Sequence, residues 1–172
     1  MREAAIPGYR LSKARTSTKI LISLGIAGLL LGLLSAALMT ITKTGLSTKT
    51  VQAYYLGTNG LDAGGKDAIV SSGPRPLDEL AEVTHLHLMG GSLLLFFLCH
   101  LLALCELSEA ARTTLYIAGF GSFLLTFGLP WLIIYVSPEF ARAFPPSILS
   151  FMILLVLLSL IPLKEMWLSS NE

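Results

Sequence analysis

Long apolar runs alternate with polar stretches along this chain. The apolar runs cover about residues 20–42, 82–105, 113–136 and 146–168. Each is long enough to cross a hydrocarbon layer of about 30 Å as a helix rising about 1.5 Å per residue. The pattern predicts an all-α four-span bundle, one membrane domain over 1–172, with no room for a separate soluble domain. Residues 106–112 make a short connection, so the second and third spans are expected to be antiparallel neighbours. The connection over 43–81 is long and polar. Gly57-Thr58-Asn59-Gly60 and Gly64-Gly65-Lys66-Asp67 carry turn chemistry. Val51 to Leu56 reads as a short helix with Tyr54 and Tyr55 at headgroup level. Pro74 and Pro76, followed by Asp78, Glu79 and Glu82, read as a helix start, with acids where the helix dipole favours them. Pro130 should bend the third span, and Trp131 and Tyr135 should mark an interface. Gly28 and Gly32 form a GxxxG, read equally well as a close helix contact or as simple dilution of an apolar helix.

Composition agrees with a membrane protein. The chain is 53% hydrophobic and 13% charged, against about 25% charged in a soluble domain. The net charge of +1 gives no basis for a nucleic-acid partner. Its distribution matters more. Arg2, Arg10, Lys13, Arg15 and Lys19 precede the first span against the single acid Glu3. That cluster places the N-terminus, and with four spans the C-terminus, in the cytoplasm, and leaves 43–81 as one long outer loop. Lys164 and Trp167 would anchor the last span at the inner face. The expected location is a bacterial inner membrane.

The chemistry lies in the second span. Thr84 to Cys105 contains no Asp, Glu, Lys or Arg, yet all 3 histidines lie within it. Ionisable groups at such depth usually have a partner or a task. At about 100° per residue, Glu82, His85, Met89, Leu93, Phe96 and His100 fall within about 60° of one direction. His87 points nearly the opposite way. His85 and His100 are about 22 Å apart along the axis. Three readings compete. The imidazoles could be hydrated at headgroup depth, with His100 donating to a carbonyl. They could ligate haem b through His85 and His100, with His87 as alternative outer ligand and Met89 on the same face. Or Glu82, His85 and His87 could hold copper, iron or a chlorophyll-type pigment, with His100 as a further ligand. The other spans contain no histidine, so a second axial ligand must come from a two-fold homodimer or from a residue such as Met39 or Met152.

Other chemistry is excluded. No CxxCH or CxxC is present. Cys99 and Cys105 are badly spaced to pair, and a lipid-buried thiol is inert. Gly64-Gly65-Lys66 lacks the rest of a phosphate-binding loop. Gly90-Gly91 permits close approach of a ring or a helix, packing being the simpler reason.

Several pieces resemble a family of small four-span bacterial inner-membrane proteins with no firmly assigned activity. They are Tyr54-Tyr55-Leu56-Gly57, Glu82-Val83-Thr84-His85 with His87, His100-Leu101, Pro130-Trp131, Tyr135-Val136-Ser137-Pro138 and Ile161-Pro162-Leu163 with Glu165-Met166-Trp167. Members of that family resemble companions of respiratory electron-transfer systems. The spacing of His85 and His100 is also similar to that in cytochrome b-type haem subunits. These likenesses imply an electron-transfer or accessory subunit rather than an enzyme. Its expected surroundings are the bilayer, membrane or periplasmic redox subunits, and quinone. The alternative is a cofactor-free structural or assembly subunit.

Overall fold

A computed structural model describes residues 10–57 and 73–169. The elements in order are α1 (Thr16–Met39), α2 (Thr48–Leu56), α3 (Leu77–Ala103), α4 (Glu109–Tyr135) and α5 (Phe144–Leu168). Short 3-10 turns at Leu11–Lys13 and Pro138–Arg142 precede α1 and α5. A π turn, Thr40–Thr44, prolongs α1. No strand occurs among the described residues. The fold is all-helical, with 4 helices long and apolar enough to cross a membrane. The turn signals at 58–60 and 64–67 lie outside the described residues, as does Arg2.

Local chemistry sets the helix ends. Ser47 and Thr50 form a capping box that starts α2, three residues before the apolar run does. Ser108 accepts from the Ala111 N–H and starts α4. Pro76 precedes α3, and Asp78 and Glu79 occupy its first turn, so this helix extends a full turn outside its apolar stretch. Gly45 and Gly57 take positive φ (73° and 79°), where the chain turns into and out of α2.

The core joins α3, α4 and α5. Leu95, Leu98 and Leu102 of α3 meet Phe123 of α4 and Phe151, Leu155 and Leu158 of α5. Gly91 makes this approach possible: a Cβ there would lie 2.8 Å from Cζ of Phe123, a ring already wedged against Phe127 and Phe151. α1 differs from the other spans. It leans on α5 rather than on α3, and only 6% of its apolar window is buried. Gly25, Gly28 and Gly32 have nothing within 4 Å of a built Cβ, so GxxxG makes no close helix contact in this chain.

Both ends of α1 are tied down. At one end the Leu11 N–H donates to the Leu104 carbonyl (3.1 Å), Arg10 pairs with Glu106, and Trp167 Nε1 donates to Ser23 Oγ (3.0 Å). At the other end α2 lies across the bundle with Val51 and Tyr55 buried against Leu129, Ile133 and Phe144. Arg75 fastens α2. Its Nε donates to the Tyr54 carbonyl (3.1 Å), its guanidinium stacks 3.8 Å from the Tyr54 ring centre, and its N–H donates to the Tyr55 carbonyl (3.0 Å). Burial, and then the neighbouring Tyr54, push the Tyr55 phenol well above its ordinary range, against the opposing Arg75 charge.

Two outcomes follow. Gly91→Ala should destabilise the detergent-solubilised protein by about 1–3 kcal/mol through overpacking, whereas Gly90→Ala, which meets nothing within 4 Å, should be neutral or gain up to about 1 kcal/mol; thermal unfolding of the two variants checks this. The raised Tyr55 pKa favours the neutral phenol in the folded state. Its contribution is therefore complete below the unfolded tyrosine pKa of about 10 and lost as pH climbs above it. Tyr55→Phe should flatten the fall in melting temperature measured across that alkaline range.

Candidate functional site

α3 presents two different faces. Helical geometry keeps His85, Met89, Leu93, Phe96 and His100 together, and this stripe faces away from α4 and α5. Met89, Leu93 and Phe96 are 67%, 70% and 64% exposed, and both histidines are exposed with them. Phe96 and His100 stack at 6.3 Å between ring centres. Glu82 begins the same face, also exposed. Among the described residues no three His, Cys, Asp or Glu side chains converge on a point. Glu82, His85 and His87 therefore form no metal cluster within one chain, and His85 and His100 remain apart at the two ends of the stripe.

Depth is fixed by neighbours. Trp131 Nε1 donates to Thr84 Oγ1 (2.9 Å), and Trp131 stacks on Tyr135. These aromatic groups put His85 at the level of the interface belt on the α2 side. His100 lies beside Cys99, whose carbonyl accepts from the Tyr116 hydroxyl (3.1 Å). That position is inside the apolar stretch.

His87 faces the other way. Its Nδ1 lies 2.7 Å from the Val83 carbonyl. A carbonyl only accepts, so Nδ1 donates to it, and the neutral form of the ring that this bond selects has its lone pair on Nε2. The ring stacks on Phe127 of α4 at 4.6 Å and 29°. It lines a cavity of 2010 Å³ between α1 and α3, closed at the back by α4 and α5 and above by α2. Gly25, Gly28 and Gly32 form the α1 wall; Gly90, Leu94 and Leu98 continue the α3 wall. Met39 and Met152, the non-histidine ligands considered from sequence, both line this space. Lys43, Lys49, Arg75 and Glu79 stand at its α2 end.

One more polar group lies on the cavity wall. Thr126 is 2% exposed, and its hydroxyl has no hydrogen-bond partner among the described residues. Pro130, four residues later, has no N–H to give the Thr126 carbonyl. The cysteines carry no chemistry here. Both are buried and unpaired, and the Cys105 thiol, just beyond α3, is pushed up to about 12 by burial and then by the Glu165 carboxylate.

The sequence offered a weak signal for the cavity: small residues at Gly25, Gly28, Gly32 and Gly90, which leave room without saying what fills it. A family model described as a transmembrane helical domain matches residues 45–172. No curated protein and no solved structure matches the chain.

Thr84→Val should cost only about 0.6 kcal/mol, the usual worth of an interhelical hydrogen bond in a membrane. In a Trp167→Phe background it should shift the emission of Trp131 to shorter wavelength, since the indole N–H loses its acceptor; steady-state fluorescence measures this.

Proposed function

The chain belongs to a family of transmembrane helical domains, and within that membrane setting we propose, from its own residues, that it is a haem b-binding electron-transfer subunit of a membrane redox complex. One observation supports this reading above the rest. His85 and His100 stand on the outward face of α3, and among the described residues neither ring has a hydrogen-bond partner. At the depth of His100, inside the apolar stretch, an imidazole facing lipid without a partner is costly. A contact from outside the chain would remove that cost.

Neutral imidazole is a good axial ligand to haem iron, and Met89, Leu93 and Phe96 between the two rings give the apolar surface a porphyrin needs. Each chain offers one ligand at each depth. A two-fold axis along the membrane normal leaves depth unchanged. It would bring the partner's His85 opposite His85 and the partner's His100 opposite His100. Bound haem supplies one-electron chemistry. His85 and His100 would hold haem at the two depths, and Met89, Leu93 and Phe96 would keep water from the apolar surface between them. The role we assign is passage of electrons between a membrane quinol pool and a carrier on the outer side. The basic segment before α1 faces the cytoplasm in this scheme, and the membrane is a bacterial inner membrane.

A visible spectrum of the purified protein tests the reading. A Soret band with a sharp reduced α-band is expected, together with a homodimer in detergent. His85→Ala and His100→Ala should each remove part of the absorbance. A colourless, folded preparation would instead favour a cofactor-free subunit whose imidazoles bond to a neighbouring helix. Copper or iron without porphyrin in a metal analysis would favour a metal site of another kind.

A further inference from the structure

The cavity between α1 and α3 is separate from the outward stripe, and the haem reading leaves it without a task. We propose that it binds the head ring of a prenylated quinone, with the tail leaving between α1 and α3 into the bilayer.

Size and shape argue first. Pockets for compact small molecules enclose about 300–1,000 Å³; this one encloses 2010 Å³ and reaches along much of α1. Its lining is apolar over the depth of the membrane, where the glycines of α1 leave a smooth wall. Such a space suits a long, tailed molecule delivered by lipid.

Polar chemistry then selects the head. His87 lies about 3 Å further along α3 than His85, where a phospholipid offers ester oxygens and hydrocarbon, and neither donates to a ring nitrogen. A quinol hydroxyl would donate to the His87 Nε2 lone pair, which the Val83 carbonyl keeps free by fixing the proton on Nδ1. The buried Thr126 hydroxyl, without a partner among the described residues, belongs to the adjacent wall and is one residue from Phe127, on which His87 stacks. A flat ring lying beside the His87–Phe127 pair would meet Nε2 of His87, with Thr126 in the wall behind it. Lys43 and Lys49 at the α2 end are at headgroup level, where cations are ordinary anchors. This inference rests on the redox reading only for naming a quinone among ring-bearing amphiphiles; binding is measured without haem and fails or succeeds on its own.

Two measurements on the full chain test it. Native mass spectrometry of protein released from membranes should show a retained prenylquinone mass. Titration with decyl-tailed benzoquinone, followed by quenching of Trp131 in a Trp167→Phe background, should saturate. His87→Phe keeps an aromatic ring against Phe127 but removes the lone pair. It should weaken binding by about three- to tenfold, the worth of one hydrogen bond. Gly90→Leu should block binding by filling the cavity beside His87. Because Gly28→Leu fills the same space from α1 without touching the α3–α5 core, it serves if Gly90→Leu does not fold. Retention of phospholipid alone, or an affinity unchanged in both His87→Phe and a folded cavity-filling variant, would overturn the proposal. Loss of quinone binding with an intact haem spectrum separates this site from the outward stripe; the reverse pattern removes the haem reading and leaves this one standing.

Discussion

Hydrocarbon offers a polar group nothing to bond with, and most features of this fold answer that constraint. Backbone groups are satisfied by making every span a helix. Side-chain hydroxyls bond within their own helix: Thr40 to Ala36, Ser147 to Phe144 and Ser159 to Leu155. Two bonds between helices, Trp131 to Thr84 and Tyr116 to the Cys99 carbonyl, set the height of α4 against α3 at two levels. Against this background of satisfied groups the exceptions stand out. Among the described residues, Arg112 Nε, Glu165 Oε1 and the Thr126 hydroxyl are buried without a partner, and the outward imidazoles of α3 and Nε2 of His87 have none either. The outward imidazoles lie where another molecule could reach them from the side, and His87 and Thr126 line one cavity.

Two kinds of packing coexist in the bundle. α3, α4 and α5 share a dense core built on Phe123, Phe151 and facing leucines, and Gly91 is small because Phe123 needs the room. Gly90, one residue away, faces open space. The adjacent glycines therefore serve opposite ends: one allows close contact and the other keeps atoms apart. The same holds for α1, whose glycines border the cavity instead of a partner helix.

Much of this was legible in the residues. The apolar runs located the spans because their length matches a bilayer. Pro76 with Asp78 and Glu79 marked the start of α3, and the Tyr54–Tyr55 pair marked α2. The helical repeat also grouped His85, Met89, Leu93, Phe96 and His100 on one face and set His87 apart. The direction of each face was not legible. In a soluble helix the polar side points to water, but lipid and protein interior are equally apolar, so nothing in α3 says which side meets α4. The lean of α1 toward α5 was hidden for the same reason. Whether Gly28 and Gly32 meet a helix or a void depends on the position of a neighbour, not on their own chemistry.

The anchoring of α1 at its two extremities has a mechanical consequence. Below, the Leu11–Leu104 bond, the Arg10–Glu106 pair and the Trp167–Ser23 bond hold its foot; above, it passes through the Thr40–Thr44 turn into α2, which Arg75 clamps. Its midsection has few such attachments. A rod pinned at both tips and lightly braced between them can bow outward or flatten while its fastenings stay in place. The width of the space behind it is thus adjustable, and guests of unequal thickness could be accommodated without disturbing the rigid trio at its back.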